Sequence, residues 1–121
     1  MISKTAFISC GIIVLMISLL IYNHYRPGQY DDFAKCLDEK NALFYGAIWC
    51  PACKQQKELF GKSSQYLPYI ECAIPGSQKL IDACEKVGIK AFPTWFFDDG
   101  TKQEGVLTVN YLAQKTGCEI K

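Results

Sequence analysis

From residue 30 onward the apolar positions switch repeatedly between helical and strand spacing. Positions 33, 36, 37 and 40 recur at intervals of three and four, predicting a short helix through Lys40, capped by Asp31 or Asp32. Residues 42–48 form a continuous apolar run of strand length, as in a strand covered on both faces. A helix over residues 51–60 follows, with Cys53, Lys57 and Phe60 or Leu59 along its stripe and Gly61 to end it. Residues 68–72 read as a second short strand. After Pro75 and Gly76, Ser77 is placed to cap a helix carrying Leu80, Ile81, Cys84 and Val87, closed by Gly88. Trp95, Phe96 and Phe97 read as a strand, and Asp98, Asp99 and Gly100 as a hairpin turn into residues 101–107. Thr108 caps a last helix to about residue 116, ended by Gly117. This order, α-β-α-β-α-β-β-α, predicts an α/β three-layer sandwich with a central mixed sheet.

The first part of the chain follows a different rule. Residues 6–22 carry no charge, and as a helix they cover about 26 Å, slightly short of a bilayer core. Thr5, Tyr22 and Tyr25 extend the run into the interface, where tyrosine is favoured. A cleaved signal peptide competes, but the positions after the apolar stretch are bulky and polar where cleavage wants small residues. A lipoprotein site at Cys10 fails because most of the apolar run lies after it. The expectation is one N-terminal transmembrane helix, with residues 1–28 as anchor and short joint and residues 29–121 as the folded domain.

Composition adds compartment and partner class. The chain has 121 residues, half of them hydrophobic, enough for one small domain. Its net charge is +1 with both signs interspersed, so nothing suggests a nucleic-acid partner. Seven cysteines point to a compartment where disulfides persist. Lys4 and Arg26 nearly balance across the apolar run, so cysteine usage sets the orientation: the domain is expected on the periplasmic or lumenal side.

The candidate chemistry is Cys50-Pro51-Ala52-Cys53, between a strand-like run and a helix opened by proline. Two thiols three positions apart across a helix start lie within disulfide reach. The first sits where orphan backbone N–H groups and the positive end of the helix dipole favour a thiolate, the species that attacks disulfides. Zinc is the competing use of such a pair, but it needs four ligands. The chain has no second C-x-x-C and one histidine, His24, far upstream. A purely structural disulfide fits the helix-opening context poorly. No metal and no cofactor are therefore expected.

Trp49-Cys50-Pro51-Ala52-Cys53, followed about forty residues later by Phe92-Pro93-Thr94-Trp95, resembles the thioredoxin superfamily. With Tyr45–Ile48, Gln56–Gly61 and Pro68-Tyr69-Ile70-Glu71-Cys72 added, it looks like the thioredoxin-like domain fused to, or paired with, bacterial homologues of vitamin K epoxide reductase. The resemblance spans about residues 33–117. It implies a thioredoxin-like sandwich in which Cys50 is the exposed nucleophile and Cys53 the buried resolving thiol. It implies a cis Pro93 beside Cys50, with Trp49, Pro51, Phe92, Pro93 and Thr94 bordering the substrate. A structural disulfide between Cys72 and Cys84 is implied as well. Cys36 and Cys118 lie outside the matched motifs. They could pair and tie the first domain helix to the C-terminal tail, or Cys118 could reach another molecule; four non-motif cysteines allow three connectivities.

The departures bear on function. Ordinary thioredoxin has a buried aspartate six residues before the nucleophile; here that position is Phe44, and no acid lies between Asn41 and Cys53. Any proton relay must use water, backbone or a residue from elsewhere. The motif's inner dipeptide is Pro-Ala, without the histidine common in strongly oxidising relatives. The resemblance implies a membrane-anchored thiol-disulfide oxidoreductase acting on cysteine-containing proteins, recharged by a quinone-linked membrane oxidase like the vitamin K epoxide reductase homologues. The alternatives are a reductant receiving electrons across the membrane, as in cytochrome maturation, and a non-catalytic adapter.

Overall fold

The computed structural model describes residues 3–121. Helix α1, Lys4–Tyr25, begins at Ser3, whose hydroxyl accepts the Ala6 N–H, and none of its residues is buried. Its length and composition suffice to cross a membrane, and a signal sequence near an N-terminus has the same character. At its far end the Lys62 ammonium donates to the Asn23 and Arg26 carbonyls. That contact supplies partners for carbonyls that the helix end leaves open.

Beyond the joint comes α2, Asp31–Glu39, whose first position is preceded by Tyr30 without any side-chain cap. The expected cap by Asp31 or Asp32 does not form, because both lie inside the first turn. Asp31 instead reaches back to accept the Gly28 N–H at 3.0 Å. The Tyr30 N–H goes to Ser63 Oγ at 2.9 Å. Gly28 is required by close approach: a Cβ there would stand 2.3 Å from Ser63 Oγ and 2.8 Å from Ser63 N.

The sheet contains β1 (Leu43–Gly46), β2 (Tyr69–Glu71), β3 (Thr94–Phe96) and β4 (Lys102–Glu104), in the order β2-β1-β3-β4. β1 and β2 are parallel, and the other two pairings are antiparallel. Helix α3 (Pro51–Glu58) and a 3-10 turn over Gly61–Tyr66 connect β1 to β2; α4 (Asp82–Lys86) precedes β3, and α5 (Val109–Thr116) closes the fold. Period-two alternation sorts the strands into two faces. Phe44 and Trp95, paired in register and stacked at 5.0 Å, face a core with Phe33, Leu37, Cys53, Phe60 and Leu112. Tyr45, Ile70 and Phe96 face the other way, onto Cys72, Cys84 and Ile89. Helices thus cover both faces, and the three-layer α/β sandwich with a mixed sheet is the observed architecture.

Boundaries differ where the backbone finds other partners. The apolar run 42–48 keeps strand pairing only through Gly46. Beyond it Cys50 N–H bonds the Ala47 carbonyl at 3.0 Å, and Ile48 is 84% exposed. The helix expected from Ser77 starts only at Asp82. Ala73 bridges Leu80, Ile81 N–H donates to the Cys72 carbonyl, and Ser77 Oγ accepts from Lys79 N–H. Those bonds occupy the groups a longer helix would have used. The last strand is likewise Lys102–Glu104 rather than 101–107, since Gly105 turns away at φ +94° and donates to the Pro93 carbonyl. The final helix has the expected ends, with Thr108 Oγ1 accepting from Tyr111 N–H and Gly117 at φ +77°.

Gln56 is fully buried and holds α3 to the sheet. Its Oε1 accepts from Trp95 Nε1–H at 3.1 Å and Leu107 N–H at 2.7 Å, while its Nε2 donates to the Leu107 carbonyl at 2.9 Å. Two disulfides tie the periphery: Cys36–Cys118 across 82 residues and Cys72–Cys84 across 12. Closing a longer loop restricts the unfolded chain more. Serine at both Cys36 and Cys118 should therefore lower the unfolding free energy by about 4 kcal/mol, and serine at both Cys72 and Cys84 by about 3 kcal/mol. Urea titration of each variant by tryptophan fluorescence checks the order, and a reversed order would contradict the loop-closure account.

Candidate active site

Where β1 ends, the chain leaves the sheet at Gly46 and re-enters helix at Pro51, and the site is built in that turn. Cys50 is the N-cap of α3 with extended backbone, and Pro51 occupies the first helical position, where no N–H is needed. The Cys53 N–H, an orphan donor of the first turn, points at Cys50 Sγ from 3.2 Å. In the thiol form Cys50 donates to the Phe92 carbonyl at 3.6 Å. The Phe92–Pro93 bond beside it is cis. Trp49, half exposed, meets the Phe92 ring edge-on at 5.7 Å.

Trp49, Cys50, Cys53, Phe92 and Pro93 thus come together, and Pro51 lies exposed at the rim. Thr94 follows directly on Pro93 and is buried as Pro93 and Cys53 are. It is 2% exposed and its hydroxyl donates to the Ala91 carbonyl at 2.6 Å, so it braces the Phe92–Pro93 turn from inside. Cys72–Cys84 and Cys36–Cys118 form the two disulfides away from this cluster, and Cys50 and Cys53 are free thiols.

Cys50, expected to be exposed, is itself buried at 8% exposure because it packs beneath the Phe92 carbonyl and against the core. The two sulfurs therefore differ in their partners rather than in a simple exposed-and-buried division. Cys53 is 2% exposed, and burial, reinforced by its hydrogen bond with Cys50, pushes its thiol up to about 12. The nearby Lys57 ammonium and the Ala47 backbone oppose that shift without reversing it. Desolvation penalises the thiolate more than these groups stabilise it.

Sequence reasoning missed the polar groups behind Cys53. The Glu71 carboxylate accepts the Tyr69 hydroxyl at 2.6 Å and the N–H groups of Ile48 and Ala73, each at 3.0 Å. Burial works against its ionised form, but these bonds and the Lys57 charge hold it below its ordinary value. Burial and then the Glu71 carboxylate raise the Tyr69 phenol above its ordinary value. Lys57 Nζ sits 3.6 Å from the centre of the Tyr69 ring. The available signal was the period of two in β2, which puts Tyr69 and Glu71 on one face; its register against Phe44 and Gly46 became visible only in the fold. Among the described residues no group of three or more His, Cys, Asp or Glu could hold a metal ion.

No protein-family model matches the chain. Over 91 residues it is 39% identical to the thiol-disulfide oxidoreductase LTO1 of Arabidopsis thaliana, an alignment covering 72% of this chain. The aligned part is 24% of that protein, so the chain spans about a quarter of the relative's length. The likeness supports a thioredoxin-like redox family for the chain.

The burial of Cys53 has a spectroscopic consequence. With 13C-labelled cysteine, its Cβ shift should keep the thiol value through pH 10 and move only toward pH 12; a midpoint near the ordinary value of 9.0 would contradict the burial account.

Proposed function

We propose that the protein is a thiol-disulfide oxidoreductase that exchanges the Cys50–Cys53 disulfide with cysteine-containing proteins. The observation that carries this reading is the asymmetry of the pair. Cys50 caps a helix, 8% exposed, with a backbone donor aimed at its sulfur, and Cys53 lies one turn behind it at 2%, its proton affinity raised by burial. Similarity to a thiol-disulfide oxidoreductase supports the same reading.

In the oxidising direction a substrate thiolate attacks Cys50 Sγ. The Cys50–Cys53 bond breaks, a mixed disulfide forms at Cys50, and Cys53 leaves as a thiolate that takes up a proton. A second substrate thiolate then attacks the substrate sulfur of the mixed disulfide. The substrate disulfide forms, Cys50 leaves as a thiolate, and the protein is left with two electrons. Negative charge developing on Cys50 meets the Cys53 N–H and the positive end of α3.

The oxidising direction is favoured by the other cysteines, since two long-lived disulfides belong to a compartment that keeps thiols oxidised. In the same reading α1 anchors the domain on the periplasmic or lumenal side of a membrane. A membrane oxidase resembling the vitamin K epoxide reductase homologues removes the two electrons and passes them to a quinone. Trp49 and Phe92 offer an apolar rim to the substrate chain.

The test is exchange with a reduced, unfolded protein by the full chain in detergent micelles. Cys50→Ser should lose the activity by at least about a thousandfold, while Cys53→Ser should accumulate a mixed disulfide between Cys50 and the substrate, seen by non-reducing electrophoresis. Exchange that persists in Cys50→Ser would sink the proposal.

A further inference from the structure

We propose that Tyr69 and Glu71 form the proton path of Cys53, taking its proton when it attacks and returning one when it leaves. The inference rests on the exchange reading of Cys50–Cys53 and assigns it two further residues. Such a path is needed because Cys53 is almost wholly excluded from solvent and its own helix carries no acid in the first turn. The position six residues before Cys50 is Phe44, a core side chain stacked on Trp95. Gln56, the other buried polar group one turn along α3, has its amide engaged by Trp95 and Leu107.

Gly46 leaves the room for the path. A Cβ at that position would stand 3.1 Å from Cys53 Sγ, 3.2 Å from the Tyr69 hydroxyl and 2.6 Å from the Tyr69 ring carbon Cε2. The sulfur and the phenol therefore border the same small gap over a residue without a side chain. From the phenol the path continues through the 2.6 Å hydrogen bond to Glu71, which is partly exposed and so in exchange with water. The titratable groups around Cys53 are Cys50 and Lys57 on its own helix and Tyr69 and Glu71 on β2. Of these, Lys57 is held over the Tyr69 ring, where its charge favours both the carboxylate and a departing thiolate.

The step balances without any co-reactant. As Cys53 attacks a mixed disulfide at Cys50, its S–H proton crosses the gap over Gly46 to the Tyr69 oxygen while the Tyr69 proton passes to Glu71. The products are the Cys50–Cys53 disulfide, the substrate thiolate, a neutral phenol and a protonated carboxyl group that returns its proton to water. The phenol never has to ionise, which its raised proton affinity would forbid. Glu71 also accepts from the Ile48 N–H, two residues before Cys50, so the terminal base is fixed to the turn that carries the nucleophile.

The experiment uses the full chain in micelles with Cys10→Ser, so that only Cys50 and Cys53 are free. Mixing with 5,5′-dithiobis(2-nitrobenzoate) gives a first release of coloured thiolate as Cys50 attacks and a second as Cys53 closes the disulfide. With the path intact, the second rate is flat from about pH 6 to 9, because the base that takes the proton is already ionised. Tyr69→Phe keeps the ring beneath Lys57, and Glu71→Gln keeps an oxygen for the Ile48 and Ala73 N–H groups. In both variants the ratio of second to first rate should fall about tenfold at pH 7, and the second rate should rise about tenfold per pH unit, as for attack limited by hydroxide. A second rate that stays flat with pH in both variants, whether slowed or not, would overturn the proton path. Absence of the first release in the parent protein would instead overturn the exchange reading beneath it.

Discussion

The hydrogen bonding of one buried amide sets where the chemistry can happen. Gln56 ties α3 to the indole of Trp95 in the sheet and to the backbone of Leu107 ahead of α5, with all three bonds inside the core. A buried amide left without partners costs about 1–3 kcal/mol, so the three elements hold one another in a single arrangement. Trp95 is in turn fixed by its stack on Phe44 in the neighbouring strand. Cys53 lies one turn before Gln56 on the same face of α3, and its depth follows from that clamp. With Cys53 held down, Cys50 stands one turn ahead of it as the helix cap, shielded in its turn but less deeply buried.

Depth gives the pair its asymmetry and creates a difficulty. A thiol with its proton affinity raised to about 12 holds its proton across the physiological range, which protects the mixed-disulfide stage from premature attack by Cys53. The same burial slows the attack when it is required. A charged group beside the sulfur would ease deprotonation but would itself have to be desolvated. Here the ionised group stands one residue further out. Glu71 keeps contact with water and reaches the sulfur's surroundings through the Tyr69 hydroxyl, so little charge is buried in the core.

Much of this was legible along the chain. Cys50, Pro51 and Cys53 announced a helix start because each residue type suits its place there, and the Thr108 and Gly117 caps of α5 are local chemistry that needs no tertiary context. The succession of helix-like and strand-like runs carried the layer order. What could not be read depends on partners distant in sequence. Ser77 has the side chain of a cap, but the backbone after it pairs with Cys72 and Ala73, and the helix waits for Asp82. Asp31 looks like a cap and instead braces Gly28 across the joint. Ile48 reads as core from its neighbours and is among the most exposed side chains of the domain, because the strand stops at Gly46. Gln56, Tyr69 and Glu71 are ordinary polar residues in the sequence; only the parallel register of β1 and β2 brings the last two behind Cys53.

The most direct measurement is the redox equilibrium of Cys50–Cys53 in the full chain against defined glutathione mixtures, with the two structural disulfides left intact. A disulfide carrier of the kind argued here should reach equilibrium through Cys50 with a potential near or above about −200 mV. A potential near or below about −270 mV would make the pair a reductant and contradict the oxidising role, and a pair that never equilibrates would contradict exchange altogether.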